Sequence, residues 1–379
     1  MNRTHLSEII ALRHTLHACA ELSMHETRTM QILTDFLRER TGLTVVQRDG
    51  WFYALRRGVP GAKTICLRAD MDALPMAETL SLPYASQQDG ISHKCGHDGH
   101  CAALCGAALE LDEMPPGANV CLLFQPGEET GQGAALCRTL LQEQNVSEIY
   151  AFHNLSGYPL GTVVYRHGLT QPASEGLRIR MQGKTAHAAE PQTGRNPAFA
   201  LASVVQSAQR YALAQADDAP LCTVAGLSLG SGDFGISPGE GEICLTLRGA
   251  SDALLRQLER DMLSRAAALA EESGLSMEYD VCDAFPETRN HPACLERVLR
   301  SADTIGLPCA PMPHLWRASE DFGQYLHACP GAMFYIGNGE RYAPLHTTEY
   351  DFNDAVLETA VDLFGAIIRD FQQAPGTPD

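Results

Sequence analysis

Ile65-Cys66-Leu67-Arg68-Ala69 is a short apolar run that stops at Asp70. Read as a strand over Lys63–Ala69, it is the first of several that alternate with helical patterns. Asn119–Phe124 is a second apolar strand, and it stops at Gln125-Pro126-Gly127. Glu148–Phe152 is a third and ends at His153. Between them, Cys101–Leu111 is Ala/Leu-rich and helical, and Leu136–Gln144 also reads as a helix. Strands alternating with helices predict an α/β fold with a mixed, mostly parallel sheet. Upstream, a helical pattern spans Leu6 to Leu37 with a break at Ala20–His25, followed by strands at Leu43–Arg48 and Trp51–Arg56. Near the end, Cys294–Ile305 and Val356–Gln372 read as helices, and Ala332–Ile336 as a strand returning to the main sheet.

A different rhythm runs from Gln171 to Asp283. Leu177–Met181 reads as a strand. Asn196 has N-cap chemistry, Pro197 suits the first helical position, and a helix continues to about Ala214. Strands at Cys222–Leu229 and Glu242–Arg248, a helix at Ala253–Ser273 and a strand at Ser276–Val281 complete the order β-α-β-β-α-β. That order is the ferredoxin-like unit. The expected organisation is therefore a catalytic domain of residues 1–170 and 284–379, with residues 171–283 inserted as a lid. Pro172 and Pro286 stand near its borders.

The chain has 379 residues, which sets a prior of about two domains. Hydrophobic residues make up 45% and charged residues 20%, enough to bury a core and against global disorder. A net charge of −18 disfavours nucleic acid and anionic membranes as partners. There is no run of about 18 apolar residues for a membrane span, and the first residues lack the apolar stretch of a signal peptide. The 13 cysteines are odd in number and scattered, which fits no small disulfide framework. The expected compartment is the reducing cytoplasm.

Chemistry concentrates after the predicted strands. Cys95-Gly96-His97-Asp98-Gly99-His100 brings a thiol and two imidazoles into six residues, on a loop leading into a helix. Gly96 lets Cys95 and His97 face one point. Glu128-Glu129 follows the turn after the second strand. Such N, O and S donors suit Zn²⁺, Mn²⁺, Co²⁺ or Ni²⁺. In an adjacent Glu pair, one carboxylate can bind metal while the other takes a proton from water. Ligands of α/β sheets collect outside the carboxyl ends of the strands. Asp70, Glu128, Glu129 and His153 all fall there, so they can converge on one sheet edge with Cys95 and His97. His100 is expected to support the site rather than bind metal. Asp72, in Arg68-Ala69-Asp70-Met71-Asp72-Ala73-Leu74-Pro75, is placed to hold the tautomer of a metal-binding histidine. His187 lies in the turn Gly183-Lys184-Thr185-Ala186-His187, and His346 in Leu345-His346-Thr347-Thr348-Glu349 is a candidate last ligand. The other histidines, among them His93, are read as structural or solvated.

These motifs, with Ser319-Glu320-Asp321-Phe322-Gly323 and the stretch from Leu345 to Asp354, run along the whole chain. Together they resemble the metallopeptidase family that includes aminoacylase and glutamate carboxypeptidase. The nearest likeness is the branch of hippurate hydrolases, N-acyl-amino-acid amidohydrolases and indole-acetyl-amino-acid hydrolases. The resemblance implies two divalent metal ions bridged by Cys95. His97 and His153 would complete one site, and Glu129 and His346 the other. It further implies Glu128 as general base and His187 as a group reaching the scissile carbonyl from the lid. The substrate would be an N-acyl-amino acid. Separately, the strands of the inserted unit leave an exposed edge, and pairing two lids edge to edge is expected to give a homodimer. A dipeptidase shares every metal ligand, and a non-catalytic metal-binding protein is the reading from another class. One departure is visible. The branch carries His-x-x-Pro-Glu near its N-terminus, and this chain has His17-Ala18-Cys19-Ala20-Glu21 without the proline.

Overall fold

The computed structural model describes residues 2–212, 216 and 219–373. Ala214, the expected end of one helix, lies outside them. The chain divides into two compact units. One comprises Met1–Thr170, Thr288–Pro313 and Glu320–Asp379, the other Gln171–Glu287 and His314–Ser319. Each has its own hydrophobic core. The short segment His314–Ser319 belongs with the second unit, although it lies beyond the expected border at Asp283.

The first unit is built on an eight-stranded sheet. Its strand order is Thr44–Gln47, Phe52–Arg56, Asn119–Gln125, Thr64–Asp70, Val146–Leu155, Gly331–Gly337, Val163–Tyr165 and Cys309–Pro311. The four central strands, from Asn119–Gln125 to Gly331–Gly337, run parallel. Thr64–Asp70 is buried at every position, as expected for a strand covered on both faces. Its last residue, Asp70, lies in register with Gln125, the last residue of its neighbour. The parallel strands thus deliver their final side chains to one edge.

The helices Arg3–Ala18 and Val356–Gln373 both pack on the helix His97–Glu113. Val356–Gln373 buries Val356, Leu357, Ala360, Val361, Phe364, Ile367, Ile368 and Phe371. That spacing of three and four residues is one apolar stripe along a helix. Burying each large side chain of this kind contributes about 1.5–3 kcal/mol. His97–Glu113 is buried at every position from His97 to Leu109 because other elements surround it.

Three expectations are corrected here. The helix begins at His97 rather than after it, because Gly96 adopts φ 102° and directly precedes the first turn. His153 lies inside a strand, not after one. Pairing of His153, Asn154 and Leu155 with Tyr335, Ile336 and Gly337 extends that strand to Leu155. The expected helix over Leu136–Gln144 is two short helices, Gly133–Cys137 and Thr139–Glu143.

The second unit contains a four-stranded antiparallel sheet. Its order is Leu221–Leu229, Glu240–Gly249, Ala173–Gln182 and Ser276–Phe285. The helices Ala198–Ala212 and Asp252–Glu272 complete the β-α-β-β-α-β sequence. Asn196 accepts a hydrogen bond from the amide of Ala198 at 2.8 Å, the N-cap contact its chemistry predicts. Among the described residues no helix is long and apolar enough to cross a membrane.

Candidate metal centre

The turn that carries Cys95 and His97 needs glycine between them. Gly96 has a left-handed φ of 102°, and a Cβ there would stand 2.5 Å from Asn154 Oδ1 and 2.8 Å from the Tyr350 hydroxyl. Any side chain would displace both. With glycine in place, Cys95 Sγ lies 3.4 Å from His153 Nε2 and 3.3 Å from His346 Nε2. Glu129 Oε1 lies 3.5 Å from His346 Nε2 and 3.8 Å from His97 Nε2.

Cys95 therefore belongs to two donor sets. Cys95, His97 and His153 offer ligand atoms within 4.8 Å of one another, and so do Cys95, Glu129 and His346. His97, Glu128 and Glu129 form a further set of this kind. Seven of the eight residues singled out from the sequence, including Glu128 and Asp72, meet in this one place. The eighth, His187, lies in the second unit. There the strand Ala186–His187 pairs with Ile236–Ser237, and His187 is exposed, with Nδ1 accepting from the amide of Ala189 at 3.1 Å.

The imidazoles are held so that their Nε2 atoms point inward. His97 Nδ1 donates to the Asp72 carbonyl at 2.9 Å and lies 3.2 Å from Asp72 Oδ1. His153 Nδ1 donates to the Asn154 carbonyl at 2.7 Å. Each bond places the proton on Nδ1 and so leaves Nε2 as the ring nitrogen with a lone pair, the form that binds a cation. The other oxygen of Asp72 accepts from Ser23 Oγ at 2.6 Å and from the Glu129 amide at 2.9 Å. One carboxylate thus orients a histidine and a glutamate together. His100 is different. Its Nδ1 meets Asp70 Oδ1 and its Nε2 meets Asn154 Oδ1, both at 2.6 Å, so neither nitrogen remains for a metal.

The donor set suits a cation. His97 Nε2 and Glu129 Oε1 are buried and have no hydrogen-bond partner among the described residues, although acceptors crowd around them. Leaving such atoms unmatched is costly, and a metal ion satisfies both. The charges point the same way. Burial pushes the Cys95 thiol up, and the nearby Glu129, Glu128 and Asp70 add to it. Burial also pushes the Glu128 carboxyl well up, reinforced by Glu320, Glu129 and Asp321. Burial works against a charged His97, yet the carboxylates of Asp70 and Asp72 outweigh it and take His97 up to about 10. A divalent cation reverses this pattern, since it favours thiolate, carboxylate and neutral imidazole at once.

Beneath the cluster lies a group that sequence reading did not assign. Arg68 is 1% exposed and reaches Asp70 Oδ2 at 2.6 Å, Asp321 Oδ1 at 2.8 Å, Glu320 Oε1 at 3.1 Å and Gln125 Oε1 at 2.9 Å. Glu128 Oε1 in turn accepts from the Asp321 amide at 3.3 Å. Arg68 is the compensating charge for carboxylates that would otherwise repel one another in a poorly solvated place. The signal was an arginine inside the otherwise apolar run Ile65–Ala69. Asn154 was also missed. It links His100, the Cys95 carbonyl at 3.2 Å and the Tyr350 hydroxyl at 2.6 Å.

The segment lacking its proline still makes an ordered turn. Glu21 accepts from the amides of Arg28 at 3.1 Å and Thr29 at 2.8 Å, capping the helix Thr27–Arg40. Its carbonyl accepts from the Ala73 amide at 2.8 Å.

Comparison with known proteins identifies the family. The chain belongs to peptidase family M20/M25/M40, whose model matches residues 66–370. The N-acetyldiaminopimelate deacetylase of Geobacillus thermodenitrificans is 29% identical over 365 residues, covering 94% of this chain and 96% of that one. The N-acetyl-L-cysteine deacetylase of Bacillus subtilis is 30% identical over 338 residues, covering 87% of this chain and 80% of that one. A longer protein of Rhodococcus jostii, named as a glutamate–cysteine ligase, is 31% identical over 369 residues; this chain spans 46% of its length. The crystal structure of YxeP from Bacillus subtilis, described as a dinuclear metal-binding peptidase of family M20, superposes with a TM-score of 0.82. That match covers 98% of this chain and 99% of the other at 23% identity, a likeness of fold. By family, the chain is a metal-dependent amidohydrolase.

Proposed function

We propose that this protein hydrolyses the amide bond of N-acyl-amino acids, giving a carboxylic acid and a free amino acid. The observation that carries the reading is the shared position of Cys95 Sγ, common to a set with His97 and His153 and a set with Glu129 and His346. These residues would hold two divalent ions, drawn from Zn²⁺, Mn²⁺, Co²⁺ and Ni²⁺. When bound, such ions polarise the amide carbonyl and make water more acidic.

The chain's own groups supply the rest. Glu128 takes a proton from the attacking water and passes it to the departing amine nitrogen. Its burial suits that task, because a carboxyl pushed upward by its surroundings is a better proton acceptor near neutral pH. Asp72 keeps His97 in the tautomer that offers Nε2. Residues 171–283 act as a lid, and His187 stabilises the developing oxyanion from that side. Lid closure excludes water from the reacting amide.

The second unit also offers edges for pairing. Its edge strand Ser276–Phe285 is exposed at nearly every position, with Tyr279 51% exposed. Pairing two such edges would bury them, which supports a homodimer through this unit. All 13 cysteines are unpaired, which fits a reducing cytoplasm.

The test is a release assay over a panel of N-acyl-amino acids and dipeptides, with metal-stripped protein reloaded by each ion in turn. Cleavage of acyl-amino acids in preference to dipeptides supports the reading. Preference for dipeptides makes the protein a dipeptidase, and no cleavage under any ion overturns catalysis.

A further inference from the structure

His346 is the outlier among the candidate ligands. Its side chain is 51% exposed, whereas that of Glu129, its companion, is 13% exposed. Packing therefore does little to hold it. Its backbone is also in an unfavourable state, with φ 59° at a residue that carries a Cβ. Contacts along its loop must fix its position, and Lys94 is the residue that meets both ends of it.

Lys94 precedes Cys95 and is fully buried. Its carbonyl accepts the amide of His346 at 2.8 Å. Its ammonium donates to the carbonyl of Tyr350 at 2.9 Å and to Glu78 Oε1 at 2.7 Å. One residue thus grips both ends of the stretch from His346 to Tyr350. A buried ammonium is unfavourable unless paired, and Glu78 supplies that pairing while holding His17 Nε2 through its other oxygen at 2.8 Å. His97 and His153 do not depend on Lys94. They are oriented by Asp72 and by the Asn154 carbonyl.

We propose that Lys94 is the positioning residue of the Glu129–His346 half of the metal centre, clamping the loop that delivers His346. The proposal rests on the two-ion reading above. It makes the two halves unequal in their dependence on the surroundings. One half is built into strand and helix; the other is delivered by a loop that Lys94 holds at both ends, with Thr79 on the Thr348 carbonyl and Asn154 on the Tyr350 hydroxyl.

The experiment titrates Zn²⁺ calorimetrically into metal-stripped full-length protein, with far-UV circular dichroism and Tm recorded alongside. K94M removes the ammonium's hold on the Tyr350 carbonyl and leaves the backbone bond to the His346 amide in place. The double variant K94M/E78Q removes both charges, so that no lone buried carboxylate threatens folding. Wild type should bind two ions per chain. Each folded variant should keep one ion at wild-type affinity and bind the second about 10–100-fold more weakly, the usual effect of losing a group that orients a ligand. Two ions of unchanged affinity in a folded variant overturn the clamp, as does equal weakening of both. Wild type that binds fewer than two ions overturns the two-ion reading instead, a failure visible before any variant is made.

Discussion

Asp72 meets His97 twice: its carbonyl accepts Nδ1 at 2.9 Å and its carboxylate Oδ1 stands 3.2 Å from the same nitrogen. With the other carboxylate oxygen on the Glu129 amide, Asp72 links both donor sets. Asp72→Asn should therefore weaken metal binding by about 10–100-fold while leaving the fold intact. Competition against a chelator of known affinity measures it, and unchanged affinity would remove Asp72 from the centre.

Glu128→Gln keeps shape and size but cannot accept a proton. Metal content should stay at the wild-type level while turnover falls by at least ~10²-fold. Elemental analysis and steady-state kinetics on the same preparation check this. A metal-loaded variant with near-normal turnover would sink the assignment.

Cys95 is the atom both sets share, so Cys95→Ala should lose metal from both and activity with it. Chelation of the wild type should inactivate it, with recovery on adding a divalent cation. A Cys95→Ala protein that still holds two tightly bound ions would contradict the bridge.

His187→Ala should lower turnover more than metal affinity, because its proposed role is in the transition state. If the variant instead lost metal and regained wild-type kinetics on reloading, His187 would be a ligand.

A fifth expectation concerns pH. His17 is buried, which disfavours its charge, but Asp98 and Glu78, each 2.8 Å away, outweigh this and raise it to about 9. Its folded value exceeds the unfolded one of about 6.5. The stabilisation is thus complete below about 6.5 and is lost as pH rises through about 9. His17→Asn should cost roughly 3 kcal/mol at about pH 6, and that cost should shrink by about pH 10. Tm profiles of both proteins across that range decide it, and a cost that does not change with pH would refute the assignment.

Local chemistry made much of this legible from sequence. Apolar runs ending in Asp70 and before Glu128 announce strands and the loops after them, because burial and turn residues are set within a few positions. The Cys95–His100 motif is equally local. What stayed hidden depends on distant partners. Arg68 meets Asp321 across 253 residues and Lys94 meets Tyr350 across 256. No short window of sequence reports such a pairing. His153 was placed after its strand because its pairing with Tyr335 on Gly331–Gly337 is itself long-range. His97 was placed on a loop because Gly96 was read as flexible, whereas its left-handed turn starts the helix at once.

The spread of the ligands has a consequence for how the protein comes into being. Cys95, His97, Glu129 and His153 are synthesised early, but His346 stands 251 residues after Cys95. A growing chain that has not yet reached His346 carries the donors of one half and lacks the last donor of the other. The strand of His153 pairs with Gly331–Gly337 and the helix of His97 packs on Val356–Gln373, so both donor sets come together only when the C-terminal elements have folded.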